Sequence, residues 1–274
     1  MFDAVLLFRE ALYGTVVIAL ACSVLGVYVV LRRIVFVGAA LAQLSSAGIA
    51  LGLFLSGQGL LLGLAEQPIA LSLLLTLAGV LFFGSGSGRG RVPPDATIGV
   101  TYAVAGAVGI LLIAKAAHGE AHDIFLQGNI LGITRADTLT LLATAIPVLL
   151  VHLVFYKEFL FISFDRETAR TLGFKVEFWN MFLYFTLGLV IAFAMQFAGV
   201  MLVFNFLVLP AVTGLLVARS MAGTFAVSII SGLIAAIAGF TLSIPFDLPS
   251  GPTIIAVSGA LAVMAFLIRL IQRR

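Results

Sequence analysis

The stretch "FAMQFAGVML", residues 193–202, decides how many times the chain crosses a bilayer. It lies in an apolar run from 178 to 218, about 60 Å as continuous helix at 1.5 Å per residue and roughly twice the hydrocarbon thickness of a membrane. Gln196 and Gly199 interrupt that run. A break there gives two crossings, 178–196 and 200–218, and an unbroken helix removes one.

Outward from this stretch, apolar segments recur at 11–31, 34–56, 68–83, 96–114, 138–156, 222–243 and 252–268, bounded by charges or Gly/Pro clusters. With the divided run they make about nine spans, or eight if it is whole. The chain of 274 residues is 62% hydrophobic and 10% charged, with a mean hydropathy of +1.23. Such a composition predicts an all-α polytopic membrane protein, with residues 1–274 forming a single transmembrane domain. The opening "MFDAVLLFREALYG" lacks the basic start and small-residue cleavage site of a signal peptide and is not expected to be one.

All but Arg9, Lys115 and Arg135 of the 15 Lys and Arg residues fall on one set of alternating connections. The positive-inside rule puts that set, and the C-terminus, in the cytoplasm. The net charge of +3 is scattered over short loops, which argues against a nucleic-acid partner. Cys22 has no second cysteine to pair with and is expected to be a small buried hydrophobe. The glycine-rich "GSGSGRGRVPPD", 84–95, lacks the Lys-Ser/Thr ending of a phosphate loop and is expected to be a cytoplasmic loop. With no Walker motif and no catalytic triad, the chain is expected to be neither an enzyme nor the carrier of a bound cofactor.

Polar residues inside spans are costly to face toward lipid. Gln43, Ser45 and Ser46 in "GAALAQLSSAG", 38–48, together with Gln196 and Asn205, are candidates to line a path for a polar solute. Small and polar residues also pack helices together, so both roles stay open. Pro147 and Pro210 are expected to kink their spans, and His152 to be an interfacial or packed histidine and not a ligand. In "AKAAHGEAHDIF", 114–125, His118, Glu120, His122 and Asp123 offer imidazole and carboxylate ligands suited to zinc or manganese. The same residues suit a solvated external loop.

The longest cytoplasmic connection is "YKEFLFISFDRETARTLGFKVEFW", 156–179. Ser163 or Asp165 is placed to cap a short helix from Arg166 to Leu172, and Gly173 stands where such a helix stops. The pattern fits either an amphipathic docking helix or a solvated connector with aromatic anchors.

Within this connection "FDRETARTLGF" resembles the signature of permease subunits of ABC-type metal importers, the zinc, manganese and iron uptake family. Phe164, Asp165, Ala169 and Gly173 match it, and Glu167 takes its acidic position. Four further stretches are similar to family motifs in the same order. They are "RVPPDATIGVTYAVAG" through Asp95, Ile98 and Gly99; "FLQGNILGIT" through Leu126, Gly128, Asn129, Leu131 and Thr134; "GVMLVFNFLVLPA", with Asn205 where a small residue is common; and "SIPFDLPSGPTII" through Ser243, Asp247, Pro249, Ser250 and Gly251.

The resemblance implies the permease fold of type II ABC importers, in a bacterial or archaeal cytoplasmic membrane. Residues 157–177 would be the coupling segment. The partners would be a cytosolic ATPase dimer that holds the ATP, a second permease chain in a homodimer and an external substrate-binding protein. It implies a divalent metal as cargo. One departure bears on that cargo. Where the family commonly has "GDALaHAvLPG" in the second span, this chain has Ala39, Gln43 and Ala47 at the Asp, His and Pro positions. Either metal selection rests elsewhere, or the cargo is a metal chelate or another small solute. An ion-coupled secondary transporter is the rival of a different class, and it calls for carboxylates deep within spans, where the sequence has none.

Overall fold

A computed structural model describes residues 8–57, 68–85, 93–115 and 130–272. These residues form ten α-helices: α1 (Arg9–Leu31), α2 (Val35–Gly57), α3 (Pro68–Gly84), α4 (Pro94–Lys115), α5 (Arg135–Val154), α6 (Tyr156–Phe164), α7 (Arg166–Thr171), α8 (Val176–Val217), α9 (Met221–Ser243) and α10 (Ser250–Gln272). A single 3-10 turn, Ile130–Gly132, precedes α5, and the described residues contain no strand. Seven of the helices are long and apolar enough to cross a membrane, and α3 is a shorter apolar helix.

In lipid a helix satisfies its backbone hydrogen bonds internally, so both its faces can be apolar and polar side chains turn inward. α1 and α8 carry the core, through Ile18, Cys22, Leu25, Leu187, Ile191 and Phe206 among others. α4 and α10 leave most of their apolar side chains exposed, for example Val104, Leu111, Phe266 and Ile271. Close helix contacts use residues without bulk. A Cβ built on Gly26 of α1 would lie 2.1 Å from the Leu207 carbonyl oxygen, and one on Gly48 of α2 would lie 2.5 Å from Ser72 Cα.

The stretch at 193–202 resolves in favour of two arms. α8 is 42 residues long, and Gly199 within it has φ 70°, ψ 168°, a conformation open essentially to glycine alone. Tyr184 precedes this point and Leu207 follows it, and on a straight helix they would be about 35 Å apart. Yet Tyr184 lines a cavity with Arg32 and Val37, while Leu207 packs on Gly26 and Gly38. Both therefore lie beside the same ends of α1 and α2, so the chain folds back at Gly199. By contrast the helices run on through Pro147 and Pro210, with non-helical dihedrals only at Gly199.

The bundle thus has two ends. One, the basic end, gathers Arg32, Arg33, Arg166 and Arg170. The other holds the start of α1 and of α5, where Thr134 and Asp137 form a reciprocal capping box and Thr138 Oγ1 donates to the Glu10 carbonyl. α9 begins at the basic end, with Phe225 packed on Tyr28 and Tyr156.

Because an L-residue is strained at Gly199's dihedrals, Gly199→Ala is expected to cost about 1–3 kcal/mol. A lower melting temperature of the purified protein in detergent checks this, and an unchanged one contradicts the fold-back geometry.

Candidate functional site

Each polar residue of the second span meets a different neighbour. Ser45 Oγ is 2.7 Å from Ser72 Oγ, so Ser45 joins α2 to α3 beside the Gly48 contact. Gln43 and Ser46 lie three residues apart on another face of α2. The Gln43 amide packs against Gly106 of α4, whose built Cβ would be 3.3 Å from Oε1. Both Gln43 Oε1 and Ser46 Oγ are buried without a hydrogen-bond partner in the chain. Across the bundle, Asn205 Nδ2 donates to Ser258 Oγ at 3.0 Å, joining the second arm of α8 to α10, while its Oδ1 has no such partner. Gln196 is half-buried.

An unsatisfied buried polar oxygen costs about 1–3 kcal/mol. Ser45 is accounted for by packing, but Gln43, Ser46 and Asn205 each keep a neutral oxygen whose presence packing does not explain. His152 is buried in an aromatic cluster, stacked on Phe159 at 4.4 Å with Nδ1 3.0 Å from the Val148 carbonyl oxygen.

At the basic end the segment between α5 and α8 is built by local rules. Asp165 is the N-cap of α7: its Oδ1 accepts from the amides of Glu167 at 3.1 Å and Thr168 at 3.0 Å, and its Oδ2 accepts from the Thr168 hydroxyl. The Thr168 hydroxyl and the two amides hold the Asp165 carboxyl below the usual carboxylate range. At the other end Gly173 takes φ 83°. Its N–H donates to the Arg170 carbonyl and that of Phe174 to the Ala169 carbonyl, the paired bonds of a Schellman motif. Ala169 is buried with Ile162 and Val176, and the Phe161 and Phe174 rings meet edge to face. Phe164 and Leu172, 60% and 65% exposed, project from this scaffold, with Glu167 also exposed.

The cap and stop residues follow the sequence expectation. α6 does not, because its aromatic run resembles interfacial anchors. The helix forms because Phe159 and Ile162, three residues apart, bury one face against Tyr28, Leu183 and Val176. A second feature missed from sequence is Asn180. Its side chain bonds to Arg32, Arg166 and Gly84, contacts too distant in the chain for any local pattern to reveal. It borders a cavity of about 520 Å³ whose lining includes Arg32, Phe83, Asp95, Arg166 and Tyr184.

The metal-ligand candidates His118, Glu120, His122 and Asp123 lie outside the described residues, as do Leu126, Gly128 and Asn129. Among the described residues no three His, Cys, Asp or Glu side chains come together to hold a metal ion.

Membrane-length apolar helices with inward polar groups, one broken helix and a capped segment at the basic end make a multi-pass membrane protein. The chain belongs to the ABC 3 transport family, whose model matches residues 5–269. It is 31% identical over 261 residues to the manganese transport system membrane protein MntC of Listeria monocytogenes, covering 94% of this chain and 89% of that one. It is 30% identical over 267 residues to the manganese import system permease protein ScaB of Streptococcus gordonii, covering 97% and 92%. Among solved structures it superposes on a chain of PsaBC from Streptococcus pneumoniae in complex with Fab. That match has a TM-score of 0.84 at 25% identity and covers 97% of this chain and 94% of that one.

Proposed function

We propose that this chain is the membrane permease of an ATP-driven importer of divalent metal ions (zinc, manganese or iron), with manganese as the first cargo to test. The observation that carries the reading is the capped α7 with Phe164 and Leu172 exposed at the basic end, in a chain of the ABC 3 family. Residues 157–177 are the coupling segment, and Phe164, Asp165, Glu167, Ala169 and Gly173 build the surface that docks a cytosolic ATPase dimer. The basic end and the C-terminus face the cytoplasm of a bacterium or archaeon. A second copy of the chain completes the path, and an external binding protein delivers the ion. ATP is hydrolysed in the partner, so this chain contributes no catalytic group.

Gln43, Ser46 and Asn205 line the path and Ser45 supports it. Neutral oxygens replace part of an ion's hydration shell without the tight hold of carboxylate or imidazole. They therefore favour passage, and selection falls to the external residues His118, Glu120, His122 and Asp123 and to the binding protein. Ala39 and Gln43 at the family's Asp and His positions favour one second reading, a metal chelate as cargo.

Uptake of metal ions by reconstituted vesicles tests the function, and Gln43→Leu tests the path. Since Gln43 Oε1 makes no hydrogen bond within the chain, Gln43→Leu is expected to leave the melting temperature unchanged or slightly raised while lowering uptake. Unimpaired uptake would return Gln43 to a packing role.

A further inference from the structure

At the basic end one side chain ties together elements that are far apart in the chain. Asn180, in the second turn of α8, accepts through Oδ1 from Arg32 Nη1 at 3.0 Å and from Arg166 Nη2 at 2.5 Å. Its Nδ2 donates to the Gly84 carbonyl at 3.1 Å. Both acceptor sites of the amide oxygen are thereby used. Arg32 follows the last residue of α1, Gly84 is the last residue of α3, and Arg166 is the first residue of α7. Arg32 also donates through Nε to Ser163 Oγ at 2.9 Å, and the Ser163 hydroxyl donates to the Phe159 carbonyl, which brings α6 into the same network.

Among the described residues neither Arg32 nor Arg166 pairs with a carboxylate; both lean on the neutral oxygen of Asn180. Burial and the neighbouring Arg166 charge push Arg32 down to about 10. Two like charges are thus held side by side by one amide oxygen, which joins the start of α7 to the end of α1. α7 has few other holds on the bundle: Ala169 packed on Ile162 and Val176, and the contact between Arg170 and Glu177. The Gly84 carbonyl is one of the last four of α3, which lack partners within the helix, so the Asn180 amide also finishes that end.

We propose that Asn180 is the positioning residue that carries movement of α7 to the ends of α1 and α3, and so to the walls of the 520 Å³ cavity that all of them border. The inference rests on the reading that α7 docks an ATPase. A push on α7 draws Arg166 against Asn180, and the amide passes the displacement to Arg32 and Gly84. Without the amide, α7 slides on its apolar contact and the ends of α1 and α3 stay where they are.

The test uses the permease reconstituted in vesicles with its ATPase and binding protein, and Mn²⁺ as the probe. Three quantities are read for the wild type, Asn180→Leu and Asn180→Asp: ATPase co-purified per permease, ATP hydrolysed, and Mn²⁺ taken up per ATP. Asn180→Leu, with the same number of side-chain heavy atoms and the same branching, is expected to keep the ATPase bound and hydrolysing while uptake per ATP falls by about tenfold, within the range that changes along a coupling network produce. Asn180→Asp keeps acceptors for both arginines but loses the donor to the Gly84 carbonyl, so it is expected to recover part of the lost ratio through the α1 arm alone. Arg166→Met alters an exposed residue and cuts only the α7 tether, so it provides the same readout should Asn180→Leu fail to assemble. An assembled, hydrolysing Asn180→Leu or Arg166→Met complex with the wild-type ratio would overturn the proposal, as would an Asn180→Asp ratio no better than that of Asn180→Leu. Failure of the wild-type permease to capture an ATPase would instead overturn the docking reading itself.

Discussion

Replacing residues 165–173 with a glycine/serine linker is expected to abolish capture of the cytosolic ATPase and reduce ATP-driven uptake to background, while the protein stays folded in the membrane. α7 is only six residues long, far shorter than a helix that holds itself in water. It persists because Asp165 closes its start, the Gly173 turn closes its end, and Ala169 is fully buried against Ile162 and Val176. A flexible linker removes both closures and the buried anchor, so Phe164 and Leu172 lose their fixed spacing. Exposed apolar side chains held rigidly at one end of a membrane bundle have an evident use as a protein contact. Helices α1 to α5 and α8 to α10 keep their core, because Leu187, Ile191 and Phe206 do not depend on α7. Co-purification with the ATPase and vesicle uptake are the readouts. A retained complex with uptake intact would contradict the docking assignment.

The second large effect concerns the seam between α1 and the second arm of α8. Gly26→Val is expected to destabilise the protein by about 3 kcal/mol or more, at the top of the range for overpacked sites. The first added carbon would stand 2.1 Å from the Leu207 carbonyl oxygen and 2.8 Å from its carbonyl carbon. These are backbone atoms on both sides, so no rotamer change relieves the clash and the two helices must separate. Gly259→Val is the matched control, because a Cβ there meets nothing within 4 Å. Size-exclusion profiles and melting temperatures in detergent compare the two. A Gly26→Val protein as stable as the Gly259→Val control would contradict the packing of Leu207 on α1.

How much of this was legible in the sequence depends on the distance over which each feature is determined. Apolar runs are local, so the span positions agree with the helices to within a few residues, and "FAMQFAGVML" divides at Gly199 because only glycine accepts the dihedrals found there. Pro147 and Pro210 lie within helices that continue past them, so neither divides its span as Gly199 does. The caps of α7 were legible too, since Asp165 and Gly173 act on amides and carbonyls within a few residues. Partners far along the chain were not. That Ser45 meets Ser72, that Gln43 meets Gly106, and that Asn180 gathers Arg32, Gly84 and Arg166 follow from helix packing, which no local spacing encodes. The family match over residues 5–269 agrees with the resemblance carried by "FDRETARTLGF" and the four stretches around it.

The most direct measurement is metal-resolved uptake by vesicles containing this permease, its ATPase and its binding protein, with and without ATP. The account predicts ATP-dependent accumulation of a divalent transition metal, manganese first. Uptake that proceeds without ATP, or a hydrolysing complex that accumulates no transition metal, would contradict it.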